Sequence, residues 1–118
     1  MTFDPSPYVE GLKRANEAER SAIDERARRA RDEAGLLARR IGESDAAVRR
    51  IYLFGSLVDG GPIRLNFDID LACDGGDVYR AREIAEGSEF SVDIVELHLL
   101  PEHMCTRVEG GANLLFRR

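Results

Sequence analysis

Between Ser6 and Gly42 the apolar positions fall at helical intervals, with Ile23, Ala27, Ala30, Ala34, Leu37 and Ile41 recurring at alternating steps of four and three in a background of Ala, Glu and Arg. This spacing predicts one long helix with a single narrow apolar stripe. Ser6 ahead of Pro7 supplies a capping hydroxyl and a proline at the first turn, and Gly42 is placed to cap the far end, while Gly11 and Gly35 weaken the helix locally. A helix over Pro7–Ile41 is about 50 Å long at 1.5 Å per residue. The rest of the chain cannot cover that length, so the segment 1–47 is expected to project, to bend or to meet a partner. Two roles stay open for it: a solvated helix laid along its own domain, or an arm for oligomerisation or partner binding.

After Glu43-Ser44-Asp45 the pattern changes. Ile51-Tyr52-Leu53-Phe54 is a short strand-like run that stops at Gly55-Ser56, and Gly60-Gly61-Pro62 marks a loop. Phe67 to Cys73 then alternates apolar and acidic residues, which predicts a strand with Phe67, Ile69, Leu71 and Cys73 on one face. A helix is expected over Asp77–Glu86, burying Val78, Ala81, Ile84 and Ala85, and a third strand over Phe90–Val95. A last short helix begins near Pro101, carries Met104 and Val108, and ends at Gly110-Gly111; the tail Leu114-Leu115-Phe116 fits a sheet edge. The expected class is α+β: a small mixed sheet with flanking helices over residues 48–118, preceded by the long helix.

A length of 118 residues permits one small core and no second. No apolar run approaches the roughly 18 residues of a membrane span, and the start Met1-Thr2-Phe3-Asp4 lacks the basic and apolar stretches of a secretory signal, so a cytoplasmic home is expected. Cys73 and Cys105 have no metal-binding spacing and read as reduced, structural thiols. Charge is uneven. Residues 1–50 carry 11 basic and 10 acidic side chains, whereas residues 51–118 carry 6 basic and 12 acidic. That second half is poorly suited to gripping a phosphate backbone, so strong nucleic-acid binding is not expected, whereas carboxylates that collect cations are.

Aspartate disfavours strands, yet Asp68 and Asp70 stand two apart in one, which directs both carboxylates to the same face. Asp93, within Val92-Asp93-Ile94, brings a third acid from the next strand. Hard oxygen donors in this arrangement suit Mg²⁺ or Mn²⁺, and a pair of such ions can clamp a triphosphate while activating an attacking oxygen. A bland reading, a solvent-facing acidic strand side, is common for one such aspartate and much less so for three. Gly55-Ser56, directly after an apolar strand, can present backbone N–H groups and a hydroxyl to phosphate. His98 and His103 have no metal-pair spacing and read as surface residues. Tyr52 and Tyr79 read as packing residues, and Arg26, Arg28, Arg29 and Arg31, offset by neighbouring acids, as a solvated helix face.

The series Leu53-Phe54-Gly55-Ser56, Asp68-Ile69-Asp70-Leu71 and Val92-Asp93-Ile94-Val95 resembles the DNA polymerase beta-like nucleotidyltransferases, in particular their minimal (MNT) members, over roughly residues 48–118. The resemblance implies that Gly55 and Ser56 contact a nucleoside triphosphate, that Asp68 and Asp70 bind both metals, and that Asp93 completes one metal site and helps deprotonate the acceptor hydroxyl. It also implies transfer of a nucleoside monophosphate, AMP being the first candidate, to a hydroxyl of a protein partner, as in antitoxins that act beside a helical HEPN-type toxin. Three departures stand out: the Ser56–Asp68 spacing is one residue longer than usual, Phe67 replaces a common serine, and Asp59 stands where a cation is common, with Arg64 as its substitute. These departures leave two alternatives, a catalytically weak or inactive module that neutralises or scaffolds a partner by contact, and a subunit of a small-molecule nucleotidyltransferase.

Overall fold

The long apolar stripe forms a single helix, α1, over Ser6–Ser44 in the computed structural model, which describes residues 4–111 and 113–118; the first three residues of the 1–47 segment lie outside the described residues. Ala27, Ala30, Ala34, Leu37, Ala38 and Ile41 are buried, while residues 6–22 are exposed throughout. Small alanines let the helix axis lie close to the sheet. Leu37 and Ile41 supply the bulk, each contributing about 2 kcal/mol of burial. The stripe therefore packs on the chain's own sheet from Ala27 onward, residues 16–26 run past the loop at 61–63, and the start of the helix projects, giving an extent of 73 Å along the long axis.

Both ends of α1 depart from expectation. Ser6 is inside the helix, Pro5 occupies the cap position, and the Ser6 N–H donates to the Asp4 carboxylate at 3.0 Å. Gly42 does not end the helix, which runs on to Ser44 with Asp45 as its C-cap. A Cβ at Gly42 would overlap the Phe116 ring, so this glycine serves close packing against the last strand.

Four strands form one sheet in the order β3-β2-β1-β4: β1 Arg50–Phe54, β2 Ile69–Asp74, β3 Val92–Glu96 and β4 Leu114–Arg117. β2 and β3 are parallel, joined through helix α2 (Val78–Ala85), and the β1–β2 and β1–β4 pairs are antiparallel, so the sheet is mixed. Asp77 caps α2 by accepting the Tyr79 N–H at 3.0 Å. Phe67 and Asp68 precede β2 instead of opening it, and Phe90 precedes β3; Phe67 and Phe90 stack with centroids 6.1 Å apart.

The sheet has two unlike faces. Ile51, Leu53, Ile69, Leu71, Cys73 and Ile94 meet α1 in the main core, joined by Ala81 and Ala85 of α2. The opposite face holds a smaller cluster, Tyr52, Ala72 and Leu97, covered in part by Cys105 and Val108 of helix α3 (Glu102–Gly110). Tyr52 is a packing residue as expected, but Tyr79 is 72% exposed, with the Arg82 guanidinium over its ring. Both cysteines are free; burial pushes the Cys73 thiol up to about 11. His98 and His103 are exposed. Among the described residues no helix is long and apolar enough to cross a membrane.

Candidate functional site

Strand pairing sets the site. Across the sheet Phe54 is the partner of Asp70, and Asp70 is the partner of Asp93, so these three side chains share the face opposite the main core. Asp68 lies just ahead of β2 and is exposed, as is Asp93, whereas Asp70 is half-buried. Desolvation, followed by the charges of Asp93, Asp68 and Asp59, pushes the Asp70 carboxyl up to about 6.

At the end of β1 the chain turns sharply. Gly55 has φ +79°, in the left-handed region, and a Cβ there would overlap Oδ2 of Asp70, so both conformation and space demand glycine. Residues Gly55–Leu57 form one 3₁₀ turn, and the Val58 and Asp59 N–H groups both donate to the Gly55 carbonyl at 3.0 Å. Ser56, Arg64, Asp68 and Asp70 line one concavity of about 340 Å³ beside this turn. On the other side of Asp70 a hollow of about 710 Å³ is lined by Phe54, Asp70, Asp93, Arg82, Glu86 and Phe90. Asp70 borders both.

Among the described residues, no three acidic, His or Cys side chains stand close enough together to hold a metal ion as placed. The donor chemistry nevertheless fits a hard divalent cation. Asp70 is pushed toward its neutral form by burial first and then by neighbouring carboxylates, and among the described residues none of Asp68, Asp70 and Asp93 forms an ion pair. An added cation relieves that repulsion.

Two arginines of α1 change the reading of its basic cluster. Arg31 donates from Nε and Nη2 to the Leu57 carbonyl at 3.2 and 3.1 Å, tying the 3₁₀ turn to the helix. Arg26 lies over the Phe90 and Phe67 rings at 4.7 and 5.8 Å. Arg28 and Arg29, by contrast, make exposed pairs with Glu25 and Glu89. The available signal was position: Arg31 follows Ala27 by four residues and so borders the buried stripe. Arg82, which donates to the Ile94 carbonyl at 3.3 and 3.1 Å while lining the hollow with Asp93, had no such signal. Asp59, read as a missing cation, adds to the acidity around Asp70.

No protein-family model matches this sequence, and no curated protein matches it. Solved structures do. A chain of a toxin-antitoxin crystallised with AMP-PNP superposes with a TM-score of 0.55 at 24% identity, over 71% of this chain and 73% of that one. A chain of a mutant of the toxin-antitoxin MntA-HpeT gives a TM-score of 0.52 at 21% identity, over 75% and 73%. These shares exceed what residues 48–118 alone make up. At such identity the likeness establishes a common α+β fold.

Proposed function

We propose that this chain is a metal-dependent nucleotidyltransferase that moves AMP from ATP to a hydroxyl of a protein partner, a helical HEPN-type toxin to which it is the antitoxin. The observation that carries the reading is the pairing of Asp70 with Asp93 on one sheet face, directly against the Gly55 turn. The partner class draws support from the shared fold with chains of two toxin-antitoxin structures, one of them with AMP-PNP.

In this reading the turn amides and the Ser56 hydroxyl hold the phosphates, and Arg64, on the rim of the same concavity, neutralises the outer one. Asp68, Asp70 and Asp93 would hold Mg²⁺ or Mn²⁺, which supplies charge neutralisation of the triphosphate and acidifies the acceptor hydroxyl. β3 is an edge strand, so an acceptor can approach Asp93 from outside the sheet. The acceptor oxygen bonds to the α-phosphorus as the bond to the bridging oxygen breaks; pyrophosphate leaves, and the hydroxyl proton passes to the Asp93 carboxylate and then to solvent.

A second reading, neutralisation by contact alone, is favoured by the dispersed acids, which are not preassembled into a metal cluster among the described residues. Thermal shift separates the two. The enzyme reading predicts a higher Tm when Mg²⁺ or Mn²⁺ is added together with ATP, because a ligand of the folded state alone stabilises it. If ATP, GTP, CTP and UTP each fail to shift the transition of protein shown folded by circular dichroism, the triphosphate site is wrong and contact remains.

A further inference from the structure

We propose that the nucleobase of the bound triphosphate lies in an apolar cleft between the 3₁₀ turn and α3; this rests on reading Gly55-Ser56 as the triphosphate turn. The cleft, about 340 Å³, is formed by Phe54, Gly55, Val58, Met104, Arg107 and Val108. That volume is at the lower end of small-molecule sites, roughly 300–1,000 Å³. Because Gly55 belongs both to the cleft and to the turn, one ligand can touch the two at once.

The walls suit a flat aromatic ring. α3 buries none of its residues fully, and Met104 and Val108 stay half-buried, leaving its apolar side open toward the cleft. A thioether packs well against an aromatic face, and an arginine such as Arg107 stacks on one. Asp59 at the rim is an acceptor only. It repels phosphate from this cleft and suits a base carrying an exocyclic amino group. The two neighbouring hollows have different chemistry: one carries Ser56, Arg64 and Asp68, and the other, although Phe54 and Phe90 form part of its wall, carries Arg82, Glu86 and Asp93 at the β3 edge where an acceptor enters. Phosphates and acceptor match those, which leaves the apolar cleft to the base.

Calorimetric titration of the full chain in Mg²⁺, with ATP and separately with inorganic tripolyphosphate, tests the assignment. The parent is expected to bind ATP more tightly than tripolyphosphate. Met104→Trp, which fills the cleft, is expected to weaken ATP by about tenfold or more and leave tripolyphosphate unchanged, while Met104→Leu preserves both. Arg107→Ala, at an exposed position, is expected to show the same ATP-selective loss and guards against a folding defect in the tryptophan variant. Unchanged ATP affinity in both Met104→Trp and Arg107→Ala, or equal loss of both ligands, overturns the base site and leaves the triphosphate turn standing. If the parent binds neither ligand, the triphosphate reading fails and the base site falls with it.

Discussion

A half-buried carboxylate facing other carboxylates is disfavoured in its charged form, and Asp70 is in that position. Its carboxyl titrates near 6 when folded, against an ordinary value of 3.8. Between those values the folded state binds more protons than the unfolded one, so this group contributes stability that is present at low pH and is lost as pH rises through about 6. Asp70→Asn removes that dependence. In metal-free buffer at pH 7 the variant is expected to be more stable by about 1 kcal/mol, a figure reduced for solvent screening of a partly exposed group; below pH 4 the difference should vanish. Urea denaturation of both proteins from about pH 3 to about pH 8 measures it, and a constant difference contradicts the assignment. Gly55→Ala acts on the same atoms. With φ +79° and Asp70 Oδ2 in the way, the substitution should cost about 1–3 kcal/mol and abolish triphosphate binding in calorimetry.

Arg31 links α1 to the turn by two hydrogen bonds to one carbonyl. Arg31→Met should lower stability by about 1 kcal/mol and weaken ATP several-fold, with Arg31→Lys between; equal ATP binding by parent and Arg31→Met would mean that the turn holds its shape unaided. Periodicity made α1 and α2 legible in the sequence, because their buried side chains recur at helical intervals, whereas β1 and the edge position of Leu114–Phe116 were legible as short apolar runs next to glycines. Boundaries were less legible where an alternating pattern runs past the strand, as with Phe67 and Asp68 ahead of β2, where the Phe67 N–H closes a turn on the Arg64 carbonyl. Tertiary ties were hardly legible. Gly42 reads as a helix stop until Phe116 lies against it, and Arg31 and Arg26 read as solvated until the turn and the two rings come within their reach. The three aspartates stood out because acids in strands are unusual, but the apolar cleft beside them joins residues about fifty positions apart and has no local pattern.

Taken as a whole, the molecule is a small two-faced sheet with a helix that outruns it. Residues 6–22 run about 25 Å at 1.5 Å per residue; Asn16, Glu19 and Arg20 border a hollow shared with Pro62 and Ile63, and the part before them exposes Tyr8, Val9 and Leu12. Deleting residues 1–22 should leave the Tm near the parent value, since no buried residue is lost, whereas deleting 1–42 strips the helix from the main core and should unfold the chain. The shorter deletion is also expected to abolish self-association or partner capture, read by sedimentation and pull-down; unchanged behaviour in both leaves the arm without a docking role. That Asp70 and its neighbours serve transfer and not contact alone is checked with α-labelled ATP, Mg²⁺ and a helical HEPN-type toxin as the partner. Label is expected on that partner with the parent chain and only background label with Asp70→Asn, while the variant still binds the partner and no longer neutralises it. Neutralisation by Asp70→Asn equal to the parent at equal concentration, or no label on the partner with either chain, contradicts the transfer role.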